Sequence, residues 1–178
     1  MLTFLKDHPT DFRKALNLAT PRLLSLWPSA YQSFLWNRTA GRYLESRLKE
    51  SRVRWFSIAL VGEELPLHRE LPDALLEALT EVKIPPLHHR AAFDDPRVAA
   101  EVETILTEED LSLWDFKARV LKKAYLSKAE RVLLLLPQEV VSLGEEEDDR
   151  FPGKCKVRLA FFLPPGSYAT LVLKALTR

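Results

Sequence analysis

A chain of 178 residues, 47% apolar and 29% charged, can bury a sizeable core under an ordinary soluble surface, which excludes a disordered tail, a collagen-like chain and a coiled coil. Its uncharged apolar runs, residues 132–137 among them, fall far short of the roughly 20 residues of a membrane helix, and the single Cys155 excludes an internal disulfide and a four-cysteine zinc site. The net charge of +1 conceals ten Lys/Arg against four Asp/Glu in residues 1–55, ten against twenty-one in 56–149, and six against none in 150–178.

Thr10-Asp11 ahead of Phe12, Ala15, Leu16 and Ala19 predicts a short helix that Pro21 ends. Ser29, after Pro28, reads as the cap of a longer helix over 29–50, with Tyr31, Phe34, Leu35, Leu44 and Leu48 on one face. Arg38, Arg42, Arg47 and Lys49 fall mostly away from that face, so the helix has an apolar side and a basic side. Residues 53–61, rich in β-branched and aromatic side chains, predict a strand. Pro72 suits the first turn of a helix whose buried stripe is Leu75, Leu76 and Leu79, and Ile84-Pro85-Pro86 must be extended.

Asp95-Pro96 opens another helix with Val98, Val102, Ile105 and Leu106 inward, so Asp94-Asp95 reads as a cap and not as a catalytic carboxylate pair. Ser112, with Asp115 three residues on, predicts a further helix to about Tyr125. Residues 131–136 and 156–163 predict a strand pair, with the acidic run 145–149 and Pro152-Gly153 as a solvated loop between them. Helices, strand, helices, strand pair and helix in that order predict an α+β fold.

Few residue patterns carry chemistry. His68, His88 and His89 have neither a helical i, i+4 partner nor a neighbouring cysteine, so they read as loop histidines and no metal site is expected. No G-x-S-x-G elbow, Walker loop or G-x-G-x-x-G occurs, which excludes nucleotide cradles of those kinds. Two segments stand out. In Leu163-Pro164-Pro165-Gly166-Ser167-Tyr168-Ala169-Thr170 a strand ends, Gly166 permits an unusual backbone angle, and Ser167 reads as the cap of a new helix. The first-turn N–H groups suit an anion, and Tyr168 beside them either stacks on a base or packs as an ordinary core aromatic. In Ser29-Ala30-Tyr31-Gln32-Ser33-Phe34-Leu35-Trp36-Asn37, the polar Gln32, Ser33 and Asn37 form either a buried network or a face toward a polar ligand.

These two segments together resemble the TruD family of tRNA pseudouridine synthases. Ser29 to Asn37 match the S-A-x-x-S-x-(L/I)-(F/W)-N helix of that family, and Leu163 to Thr170 match its L-P-x-G-S-(F/Y)-A-T turn. Between them, Arg131 to Pro137 match the R-x-x-x-x-x-P strand. The resemblance implies conversion of a uridine in tRNA, position thirteen in the bacterial family, to its C5-linked isomer without a metal or organic cofactor. It implies a TruD-type inserted domain over 1–134, followed by the strand-turn-helix of the catalytic fold over 135–178. Tyr168, with Gly166 and Ser167, would contact the flipped base.

The upstream G-x-K-D, N-x-F and Q-R-F-G segments of the family do not occur here, and Lys6-Asp7 is only a superficial echo of the first. No residue of this chain is therefore assigned the catalytic role. The expectation is an RNA-binding downstream portion, inactive by itself, in which Arg38, Arg42, Arg47, Lys154, Lys156 and Arg158 meet tRNA phosphates. The alternative is a non-catalytic structural or protein-interaction module left after loss of the catalytic half. Strands parted from their sheet would dock with a separate upstream polypeptide or self-associate through an open edge. No leader pattern follows Met1, so a cytoplasmic location without membrane association is expected.

Overall fold

Thr20 decides where the longest helix begins. In the computed structural model, which describes residues 1–60, 63–68, 70–117, 119–121 and 124–177, two short helices come first, α1 (Leu2–Asp7) and α2 (Phe12–Asn17). Asp11 caps α2 by accepting from the Lys14 N–H at 3.0 Å. Pro21 then opens α3 (Pro21–Glu50), where its missing N–H is harmless, and Thr20 Oγ1 accepts from the Leu23 N–H at 3.4 Å. The helix expected to start at Ser29 thus starts eight residues earlier and runs through Pro28. Ser29 caps nothing there, and its hydroxyl donates to the Tyr125 carbonyl at 3.4 Å. A proline in a helix interior costs one backbone hydrogen bond, and packing along the rest of α3 offsets it.

Leu24, Leu35 and Leu48 on α3 are fully buried and line one stripe of the core with Tyr43 and Leu44. Against α3 lies an antiparallel hairpin of β1 (Trp55–Leu60) and β2 (Glu63–His68), whose register pairs Phe56 with Leu67 and Ile58 with Leu65. Gly41 permits the approach, since a Cβ there would stand 3.0 Å from Leu65 Cδ2. The sequence reading foresaw β1, though Val61 lies outside the described residues, and it passed over β2, where Pro66 disguises the pattern.

Next come α4 (Asp73–Thr80), which buries Leu75 and Leu79, and β3 (Lys83–Ile84). Helix α5 (Pro96–Glu108) is capped by Asp95, which accepts from the Arg97 N–H at 2.8 Å, and it buries Val98, Val102 and Ile105 toward α3.

The helix expected over 112–125 is instead a single 3-10 turn, Leu113–Lys117. The capping box does form, because the Ser112 N–H and hydroxyl both donate to Asp115 Oδ2, at 2.8 and 2.7 Å. Residues 119–121, 124 and 125 are not helical.

Strand β4 (Arg131–Val132) pairs antiparallel with β3, not with residues 156–163 as expected. The partner of β6 (Cys155–Phe162) is β5 (Gln138–Glu147), so Glu145, Glu146 and Glu147 lie in a strand and not in the loop. Cross-strand charge pairing explains the difference, since Glu146 faces Lys156 and also meets Arg158. The turn proper falls at 148–154, where Gly153 takes φ +79°. Helix α6 (Ala169–Leu176) closes the chain.

Among the described residues, helices and three two-stranded antiparallel sheets make the fold α+β. The chain divides into two compact units, Met1–Leu133 and Leu134–Arg178. All buried side chains among the described residues belong to the first. Among the described residues no helix is long and apolar enough to cross a membrane.

Candidate nucleic-acid interface

Strand β6 ends at Phe162, and Pro164 and Pro165 carry the chain into a tight turn. Gly166 sits there at φ +89°, a left-handed value that glycine adopts without a Cβ penalty. Ser167 closes the turn, its N–H and hydroxyl both donating to the Pro164 carbonyl, at 3.3 and 2.7 Å. That use of the hydroxyl corrects the expectation that Ser167 caps the following helix. Tyr168 holds the N-cap position of α6 and its side chain makes no capping hydrogen bond. It is 40% exposed, so within its unit it is no core aromatic. The turn thus presents a flat ring and a hydroxyl beside the first-turn N–H groups of an eight-residue helix.

The polar residues of α3 are structural to different degrees. Gln32 is completely buried, and its amide nitrogen donates to the carbonyls of Leu87 at 2.8 Å and Ser127 at 2.9 Å. Ser33 Oγ accepts from both terminal nitrogens of Arg131, while Trp36 Nε1 donates to the Ile84 carbonyl at 2.9 Å. Asn37 is half-buried. Gln32 and Ser33 thus hold neighbouring segments together, and through Ser33 and Trp36 the helix α3 is joined to the β3–β4 ladder.

The six predicted phosphate contacts are mostly engaged within their own units. Arg38 is only 9% exposed, contrary to its expected place on an open basic side, and is clamped by Glu108 and Glu109. Arg42 makes two hydrogen bonds to the Glu108 carboxylate, at 2.9 and 2.7 Å, and Arg47 lies 3.2 Å from Glu50. The Arg42 contacts, more than offsetting desolvation, hold the Glu108 carboxyl below its usual range. Lys156 bridges Glu146 and Asp149, and Arg158 pairs with Glu146. Lys154 stands 5.6 Å from the Phe151 ring. Exposed pairs such as Arg158–Glu146 are weak and exchange readily for a phosphate, whereas the Arg38 clamp is costly to open.

His88 and His89 stack edge to face at 6.4 Å, and among the described residues no group of His, Cys, Asp and Glu could hold a metal ion. An apolar cavity of about 140 Å³, lined by Pro28, Tyr31, Leu111, Asp115, Phe116 and Leu126, includes none of the predicted site residues. Overlooked by the sequence reading were the cations around Trp114, where Lys117 and Arg119 lie over an exposed indole. The run of cations from Lys117 to Arg131 was the signal that could have found them.

Comparison with known proteins adds an independent line. The profile of the family described as tRNA pseudouridine synthase D (TruD) matches residues 1–176. The probable tRNA pseudouridine synthase D 1 of Methanococcus maripaludis is 30% identical over 168 residues, covering 94% of this chain and 42% of the relative. The probable tRNA pseudouridine synthase D 2 of Methanocaldococcus jannaschii is 27% identical, covering 92% and 38%. The tRNA pseudouridine synthase D of Aquifex aeolicus is 23% identical, covering 93% and 40%. The chain therefore spans about two-fifths of the length of these curated relatives. No solved structure matches.

Proposed function

Because the chain belongs to the TruD family of tRNA pseudouridine synthases, we propose that it supplies the RNA-binding downstream portion of an enzyme that isomerises a uridine of tRNA, at position thirteen, to pseudouridine. In this reading the first unit is the inserted domain of the family, and the second completes the catalytic sheet with its strands and turn. Tyr168 holds the extruded base by its ring face and hydroxyl, Gly166 lets the backbone bend tightly before it, and Ser167 fixes the bend. Lys156 and Arg158 meet phosphates by exchanging their carboxylate partners for them, and Arg42 and Arg47 at the edge of their own cluster do likewise; Lys154, beside the Phe151 ring, meets a phosphate directly, and Arg38 serves mainly to position α5. The nucleophilic aspartate belongs to a G-x-K-D segment that these 178 residues do not contain, so glycosidic bond cleavage is assigned to no residue here and the chain alone is inactive.

The observation that carries this reading is the half-exposed Tyr168 at the N-cap of α6, on a turn whose sequence is the family's own. A docking role accompanies it. The second unit contains no buried side chain among its described residues, as expected of strands that pack against more of a sheet.

The test is tRNA binding across a salt series with the wild-type chain and Tyr168→Ala. Affinity that falls steeply with salt and drops about tenfold in the variant supports the reading, given what a stacked base contributes. Absence of tRNA binding at low salt would leave a structural or protein-interaction module instead. Release of tritium from 5-tritiated uridine by this chain alone would disprove the inactivity.

A further inference from the structure

Five of the six cations proposed above, all but Lys154, pair with carboxylates, whereas among the described residues those around Trp114 do not. Trp114, 56% exposed on the 3-10 turn Leu113–Lys117, has Lys117 Nζ 4.3 Å and the Arg119 guanidinium carbon 4.9 Å from its ring. His89 meets the same ring edge-on at 6.4 Å. Partial desolvation first, then the charges of Arg90, Lys117 and Lys128, keep the His89 imidazole below its usual range, so these cations share one neighbourhood. Among the described residues no carboxylate pairs with Arg90, Lys117, Arg119 or Lys128. The nearest acid in sequence, Asp115, is engaged by Ser112.

The sequence agrees with the geometry. Residues 56–149 carry twice as many acids as bases, yet 117–131 within them hold six Lys/Arg and one acid, Glu130. Trp114, Lys117 and Arg119 are all exposed, so their cluster adds nothing to the core. Cations gathered about one ring repel one another, and an anion among them relieves that repulsion. An indole flanked by two cations offers a stacking face together with phosphate partners, the arrangement that holds an unpaired nucleotide.

We infer that Trp114, Lys117 and Arg119, with Arg90 and Lys128 around them, form a second RNA contact on the first unit, taking an unstacked base on the indole and its flanking phosphates on the cations. The inference rests on the reading that this chain binds tRNA.

The experiment is fluorescence anisotropy of a labelled, unmodified tRNA transcript titrated with the full chain at several salt concentrations. Trp114→Ala is expected to weaken binding about tenfold and Trp114→Phe to recover most of that loss. Lys117→Ala with Arg119→Ala is expected to lower the slope of log affinity against log salt by about one to two units. The exposed positions leave the core untouched, which thermal melts of each variant verify. Unchanged affinity in Trp114→Ala overturns the inference whatever the charge variants do, since a merely cationic surface needs no indole. If that occurs while Tyr168→Ala still weakens binding, the broader tRNA reading survives; if the wild-type chain binds no tRNA at low salt, both fall.

Discussion

Arg131 reaches from β4 to α3 and places both terminal nitrogens 3.3–3.4 Å from Ser33 Oγ, with its guanidinium carbon 5.5 Å from the Trp36 ring. Two segments almost a hundred residues apart thereby share one contact. Trp36 completes it by donating to the Ile84 carbonyl on β3. The arginine therefore ties the two-residue β3–β4 ladder, too short to persist alone, to the longest helix of the fold.

Arg131→Ala is expected to destabilise the first unit by about 1–3 kcal/mol, through loss of charge-assisted hydrogen bonds and of the stack on Trp36. Ser33→Ala should cost less, about 1 kcal/mol, because the guanidinium keeps its ring contact. Urea unfolding of both variants and of the double variant checks this. A double variant no worse than Arg131→Ala is the expected outcome.

Two tyrosines predict the alkaline limb of stability. Tyr43, buried and donating to Asp95 at 2.8 Å, has its pKa pushed up to about 12 by burial first and by the Asp95 hydrogen bond and charge next. Tyr31, against Glu109, is raised to about 12 for the same kinds of reason. A phenol whose folded pKa lies above its unfolded one contributes stability that is present below pH 10 and is lost as pH rises toward 12. Ultraviolet titration should show two tyrosines ionising late. Tyr43→Phe should remove one of them and flatten the loss of stability over that range.

The acid limb has the opposite sign. Glu108, held low mainly by Arg42, contributes stability above the ordinary carboxylate range, and this is lost as pH falls through its depressed value. Glu108→Gln should therefore lower stability at neutral pH and reduce its dependence on pH in the acid range. Guanidinium melts across that range measure it. An acid limb unchanged from wild type would show that the Glu108 carboxylate does not carry it.

Local rules made the capped elements legible, while pairings between distant segments were not. Asp11, Asp95 and the Ser112–Asp115 box do what their residue types imply. Ser29 misled because a serine after a proline is a cap by rule, whereas Thr20-Pro21 provides the same signal eight residues earlier. Arg38 misled because periodicity assigns a face without naming its neighbour; Glu108 and Glu109 on α5 turn a basic side into a buried clamp. The acidic run at 145–147 was rightly solvated but misread as loop, since its partners Lys156 and Arg158 become visible only in register. The turn ahead of Tyr168 was legible because its chemistry is local, and the cations about Trp114 were overlooked because they gather at a 3-10 turn that no periodicity announces.

The hairpin of the second unit predicts association. Val157 and Phe162 are both 58% exposed, Val141 and Leu143 are about half or more exposed, and every residue of β5 faces solvent. Phe162, Ala160 and Val141 share one face through the pairings Phe162↔Gln138 and Ala160↔Val141, while Val157 lies on the other. A two-stranded ribbon with apolar side chains on both faces is marginal in water, and its outer edges are open to pairing. Light scattering behind size exclusion should therefore report a mass that rises with protein concentration. Val157→Lys together with Phe162→Lys should return it to the monomer value without altering the melting of the first unit, to which all the buried side chains among the described residues belong. A wild-type chain that stays monomeric at high concentration would mean that the ribbon shields these side chains by itself, and the docking role proposed for it would be lost.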